Sequence, residues 1–76
     1  MSTPYDFLLF GLTVDRERVL RRLSPALVAE AAGVTPDAVD RAIAGRDPGG
    51  AAFVALCLWL DRAPDSFLQP RQVTHA

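Results

Sequence analysis

Four prolines divide most of this chain into short segments, and each stands where a helix can begin. Ser24-Pro25 and Thr35-Pro36 combine an N-cap hydroxyl with proline at the first helical position, where no backbone hydrogen bond is lost. Asp47-Pro48 and Ala63-Pro64 repeat the arrangement in weaker form. No segment alternates convincingly over the length of a strand. The pattern predicts an all-α domain, a compact bundle of about five short helices.

Apolar periodicity places the helices between these boundaries. Gly33 and Gly45 stand where a left-handed residue ends a helix. The predicted helices cover 14–23, capped by Thr13 or Asp15, then 25–32, 36–44, 50–61 and 64–68. Their predicted core stripes are Val19, Leu20 and Leu23; Leu27, Val28 and Ala31; Val39, Ala42 and Ile43; and Phe53, Leu56, Cys57 and Leu60. Residues 1–12 are interpreted as an apolar N-terminal extension and 70–76 as a loose tail of one domain spanning 1–76.

Composition narrows the function classes. Cys57 is the only cysteine and His75 the only histidine, so we expect no disulfide, metal or cofactor. No nucleophile–base pair, paired carboxylates or phosphate loop is recognisable, which argues against an enzyme. The apolar stretch near the N-terminus is about six residues long, too short for a signal sequence or a membrane span. We therefore expect a cytoplasmic protein without membrane contact.

Residues 25–44 form a unit with the spacing of two helices that cross steeply. Ala29 is small enough for close approach, Gly33 makes the turn, and Val34 and Val39 fill the angle between the helices. Any helical hairpin with a glycine turn is the alternative.

The same stretch carries a family resemblance. "LSPALVAEAAGVTPDAVDRAIAGRDP", followed by "FVALCLWLDRAPDSFL", resembles the phage-repressor-like (Xre-type) helix-turn-helix family. The resemblance implies an all-α domain that binds operator DNA, usually as a dimer, with the second helix of the motif in the major groove. It implies no enzymatic activity. The matching positions include Leu23-Ser24, Val28-Ala29, Gly33-Val34, Val39, Arg41, Gly45, Pro48, Phe53, Leu56-Cys57, Trp59-Leu60, Pro64 and Phe67.

In that interpretation, helix 36–44 reads double-stranded DNA. The predicted base-facing residues are Thr35, Asp37, Ala38, Asp40 and Arg41, and the predicted phosphate contacts are Arg21, Arg22, Ser24 and Arg46. Asp40 stands where the family commonly has serine. A carboxylate there repels phosphate, although it can also accept a hydrogen bond from cytosine. Three roles remain open for the two aspartates: a solvated face, base readout, or a face for a protein partner.

Exposed apolar residues predict a second surface. On the fourth helix, Val54 and Leu58 fall on the side away from the core stripe. Together with Phe7, Leu8 and Phe10 they predict the interface of a homodimer or of a protein partner. The alternative is that the N-terminal segment folds over the fourth helix of its own chain.

The leading function is a sequence-specific, homodimeric DNA-binding regulator. The second is an interaction module (antitoxin-like, anti-activator or adaptor) that uses the acidic helix or the apolar N-terminus.

Overall fold

The computed structural model describes residues 4–69 and confirms the all-α character of that part of the chain. Its elements in order are α1 (Phe7–Leu20), α2 (Pro25–Ala32), α3 (Pro36–Ile43), α4 (Gly50–Leu60) and a 3-10 helix (Pro64–Phe67). The fifth predicted α-helix is therefore a single short 3-10 segment. The predicted tail, 70–76, lies outside the described residues.

The two strongest helix starts are confirmed. The Ser24 hydroxyl accepts a hydrogen bond from the backbone N–H of Leu27 at 3.2 Å, and the Thr35 hydroxyl accepts one from Ala38 at 3.1 Å. Gly33 closes α2 in the left-handed conformation, with φ of 76°. The helix start predicted at Asp47-Pro48 is wrong. Asp47 accepts a hydrogen bond from Gly49 in a turn, and α4 begins beyond it without a side-chain cap.

The first helix begins seven residues earlier than the sequence predicted, at Phe7 rather than residue 14. Asp6 is its N-cap and accepts a hydrogen bond from the backbone N–H of Leu9 at 3.0 Å. The expected caps Thr13 and Asp15 lie inside the helix, and the Thr13 hydroxyl donates to the carbonyl of Leu9 instead. Residues 7–12 are thus the first turns of α1 and not an extension from the domain.

The buried side of α1 also differs from the predicted stripe. Phe10 and Val14 are fully buried, whereas Val19 and Leu20 are exposed, so the predicted core roles of those two residues are wrong. In α2, the predicted stripe holds for Val28, while Leu27 and Ala31 are exposed. The stripes of α3 and α4 are confirmed, with Ile43 half-buried. The buried core consists of Phe10, Val14, Val28, Ala29, Val39, Ala42, Phe53, Leu56, Cys57, Leu60 and Phe67.

Close packing of α1 against α3 depends on a glycine. A Cβ atom at Gly11 would collide with the backbone carbonyl oxygen of Ala42. The backbones of the two helices therefore meet at this point, which fixes how the end of α3 sits on α1.

Aromatic rings join the two ends of the described chain to α4. Phe10 lies 4.8 Å from Phe53 and 5.0 Å from Phe67, measured between ring centroids. The backbone N–H of Asp6 donates to the carbonyl of Phe67 at 2.7 Å, so the segment before α1 runs beside the segment after the 3-10 helix. Within residues 4–69, no helix is long and apolar enough to cross a membrane.

Candidate nucleic-acid interface

Helices α2 and α3 pack against each other and are joined by the turn 33–35. Val28 and Ala29 on α2 and Val39 and Ala42 on α3 are all nearly inaccessible to solvent. The backbone N–H groups of Gly33 and Val34 both donate to the carbonyl of Ala29 at 2.9 Å, which ends α2 and starts the turn. The predicted turn at Gly33 is confirmed, and Ala29, predicted to lie where the two helices approach, is buried.

The outward side of α3 is polar and exposed. We define the α3 outer face as Thr35, Asp37, Asp40 and Arg41, all of which are exposed. Ala38 was predicted to face a base, but it retains only 6% of its surface. Its side chain therefore offers little area to a base, which counts against the prediction for this residue. A 100° turn per residue explains the result, because Ala38 lies beside Val39 and Ala42 on the buried stripe.

An ion pair links two members of the α3 outer face. Arg41 Nη2 lies 2.9 Å from Asp37 Oδ2, at the i,i+4 spacing that the sequence suggested. Both side chains are more than half exposed, so this pair contributes little to stability. Its effect is on position, since Asp37 holds the guanidinium along the helix surface and offsets its charge.

Asp40 has no such partner. Within residues 4–69 its carboxylate makes no ion pair and no side-chain hydrogen bond, and it is exposed to solvent. It is therefore a free negative charge on the α3 outer face.

The three arginines predicted near phosphates fall into two classes. Arg21 Nε is 2.7 Å from Glu17 Oε2, and its guanidinium carbon lies 4.6 Å from the centre of the Trp59 ring. Arg22 and Arg46 are exposed and, within the described part of the chain, make no ion pair. Sequence reasoning missed the role of Trp59, because its contact with Arg21 joins α4 to α1 and no local spacing reveals it.

The two capping hydroxyls retain a hydrogen-bond donor. Ser24 and Thr35 each use an oxygen lone pair to accept from the backbone. Since a hydroxyl is both donor and acceptor, each O–H hydrogen remains available to a phosphate or base oxygen. Both residues are exposed at the first turn of their helices, where the helix dipole also favours an anion.

Some of the residues predicted for a dimer or partner interface are buried, and the others are exposed. Phe10 is fully buried and cannot contribute to an interface, so that prediction is wrong. Phe7 is half-buried, with its ring centroid 5.6 Å from that of Phe53, which confirms for both phenylalanines the alternative that this segment packs on α4 of its own chain. Leu8, Val54 and Leu58 are exposed, with Leu58 retaining 77% of its surface.

Cys57, the one cysteine of the sequence, is buried. Burial raises the pKa of the Cys57 thiol, which favours the neutral, unreactive form. Among residues 4–69, no group of three His, Cys, Asp or Glu side chains is placed to hold a metal ion.

Comparisons with protein-family models, with curated proteins and with solved structures find no match to this chain.

Proposed function

We propose that this domain is a helix-turn-helix DNA-binding regulator that inserts α3 into the major groove and acts as a cytoplasmic homodimer. The observation that supports this most directly is the α2–turn–α3 unit. It buries the inner sides of both helices and presents a narrow polar face on a helix whose start is fixed by the Thr35 cap. A rigid, outward-facing helix is what major-groove readout requires.

The exposed groups divide into readers and phosphate contacts. Arg41, oriented by Asp37, presents the guanidinium donors that recognise guanine, and Thr35 presents its hydroxyl. Arg22 and Arg46 are unpaired and are assigned to phosphate, and Ser24, two residues after Arg22, adds a hydroxyl donor. Arg21 contributes less than its position in the sequence suggests, because Glu17 and Trp59 already hold it.

Only two unpaired arginines of one protomer, Arg22 and Arg46, are assigned to phosphate, which favours a dimer. Val54 and Leu58 on the outer side of α4 offer an apolar surface, and Val54 retains 48% of its area. We assign the dimer contact to this surface. Arg22 and Arg46 of each protomer give about four proposed phosphate contacts per dimer, so log K is expected to fall with log salt with a slope of about −4.

Selection from random duplex oligonucleotides at low salt tests the proposal. We expect one enriched sequence, a loss of its preferred base pair in Arg41→Ala, and uniformly weaker binding in Arg46→Ala. Sedimentation equilibrium of Leu58→Ser reports on the dimer separately. If no sequence is enriched from the pool at low salt, the proposal is wrong.

A further inference from the structure

Helix α1 is apolar on the side that faces solvent as well as on the side that faces the core. Leu9, Leu12 and Leu20 all project outward, and Leu12 and Leu20 retain 67% and 65% of their surface. The first turns of α1, residues 7–12, are apolar all round, and a helical segment of that kind is normally buried on all sides. Nothing within residues 4–69 covers this face.

The outward leucines line a shallow groove. We define the α1 groove by its lining residues, which are Leu9, Leu12, Thr13, Arg16, Glu17 and Leu20 on α1 and Arg62 after α4. The α1 residues recur at spacings of three and four, so they form one row along the helix. A row of this kind matches the apolar face of a second helix lying alongside.

The free charges beside the α1 groove have one sign. Arg16 and Arg62 are exposed and make no ion pair with any described residue. Glu17 also lines the groove, but Arg21 holds its carboxylate at 2.7 Å. The groove thus combines three leucines with two unpaired positive charges, of which Arg16 lies between Leu12 and Leu20 in the row.

We propose that the α1 groove binds an acidic amphipathic helix of another protein. The apolar side of that helix covers the three leucines, and its flanking carboxylates pair with Arg16 and Arg62. A second copy of this chain suits the groove less well, because a two-fold axis through the groove brings the same two arginines toward their own equivalents. This inference is independent of DNA binding, which uses the α3 outer face.

A displayed library of helical peptides, each about 14 residues long, tests this proposal. Each peptide has fixed apolar residues along one face of its helix. The positions on either side of that face vary among Glu, Lys and Ser. We expect the full-length chain to enrich peptides with Glu at the flanks. The best of these is then synthesised, and its affinity is measured by fluorescence anisotropy.

Variants of exposed residues locate the peptide. Leu12→Ser is expected to weaken binding about tenfold, as for a central apolar contact. The double variant Arg16→Glu, Arg62→Glu is expected to transfer the preference from Glu-flanked to Lys-flanked peptides. Leu27→Ser on α2 and Arg46→Glu after α3 change exposed residues that do not line the groove, and they are expected to leave peptide binding unchanged.

Three results overturn the inference. One is equal enrichment of Glu-flanked and Lys-flanked peptides, or enrichment of neither. Another is binding that Leu12→Ser leaves intact. The third is dissociation of a homodimer by Leu12→Ser, since the occupant is then a second copy. DNA selection with Leu12→Ser keeps the two proposals apart, because that variant is expected to enrich the same sequence as the unmodified chain.

Discussion

Helices α1 and α3 pack against each other but distribute their apolar residues differently. In α3, Val39 and Ala42 are buried, whereas Asp37 and Asp40 are exposed to solvent. The alternation of apolar and charged residues therefore predicts which side of α3 packs on the core. In α1, apolar residues face both the core and the solvent. The sequence of an amphipathic helix is enough to predict which side packs on the core. Where apolar residues occur on opposite sides of a helix, the sequence does not tell which side the domain buries.

The contact between the two helices gives the largest expected effect. Gly11→Ala places a methyl group against the Ala42 carbonyl oxygen, and backbone atoms cannot move aside as a flexible side chain does. We expect the free energy of unfolding to fall by about 3 kcal/mol, at the upper end of the usual cost of overpacking. Urea denaturation followed by circular dichroism measures the change.

Gly50→Ala is the matched control for that substitution. Gly50 is the first residue of α4, and a Cβ atom there meets no atom within 4 Å. We expect unchanged or slightly higher stability, since alanine restricts the unfolded chain. Equal stability of Gly11→Ala and the unmodified protein would show that α1 and α3 are not in backbone contact.

The same contrast explains what the sequence could predict. Helices α2 and α3 were placed almost to the residue, because Ser24 and Thr35 cap their starts and a left-handed Gly33 ends α2. The polar residues of the α3 outer face followed from the same periodicity. Among the residues predicted to face DNA from this helix, Ala38 alone is nearly buried, because it lies at the border of the buried stripe.

The start of α1 could not be predicted in this way. Phe7, Phe10 and Val14 have helical spacing, but Leu8 and Leu9 fill the opposite side and conceal the period. The end of α1 was also hard to predict, because the residue with left-handed backbone conformation after this helix is Arg22 and not a glycine. The partners of Arg21 were partly accessible: Glu17 is four residues away, whereas Trp59 is joined to it only by the fold.

Arg22 supplies a prediction at the junction of α1 and α2. Its φ of 59° is a conformation that glycine adopts freely and a long side chain does not. Arg22→Gly is therefore expected to raise the free energy of unfolding by about 1 kcal/mol. If the side chain contacts phosphate, the same variant also weakens DNA binding, so stability and affinity change in opposite directions.

Asp61→Gly separates these two effects of Arg22. Asp61 has a φ of 60° after α4 and is not assigned to the DNA surface. We expect a smaller gain in stability, because aspartate tolerates the left-handed region better than arginine, and no change in DNA affinity. A parallel loss of DNA affinity in both variants would remove Arg22 from the proposed phosphate contacts.

The smallest expected effect concerns the free charge on the α3 outer face. Asp40 is exposed and unpaired, so its repulsion of a phosphate about 6 Å away is screened to about 0.7 kcal/mol. Asp40→Ser is expected to tighten binding about threefold for every operator alike, without changing the preferred sequence. Asp65→Ser, which removes an exposed charge from the 3-10 helix, alters net charge equally and is expected to have a weaker effect. Competition titrations against a small set of operators measure both variants. A loss of preference at one base pair in Asp40→Ser would instead identify the carboxylate as a cytosine reader, because only a direct contact distinguishes one base from another.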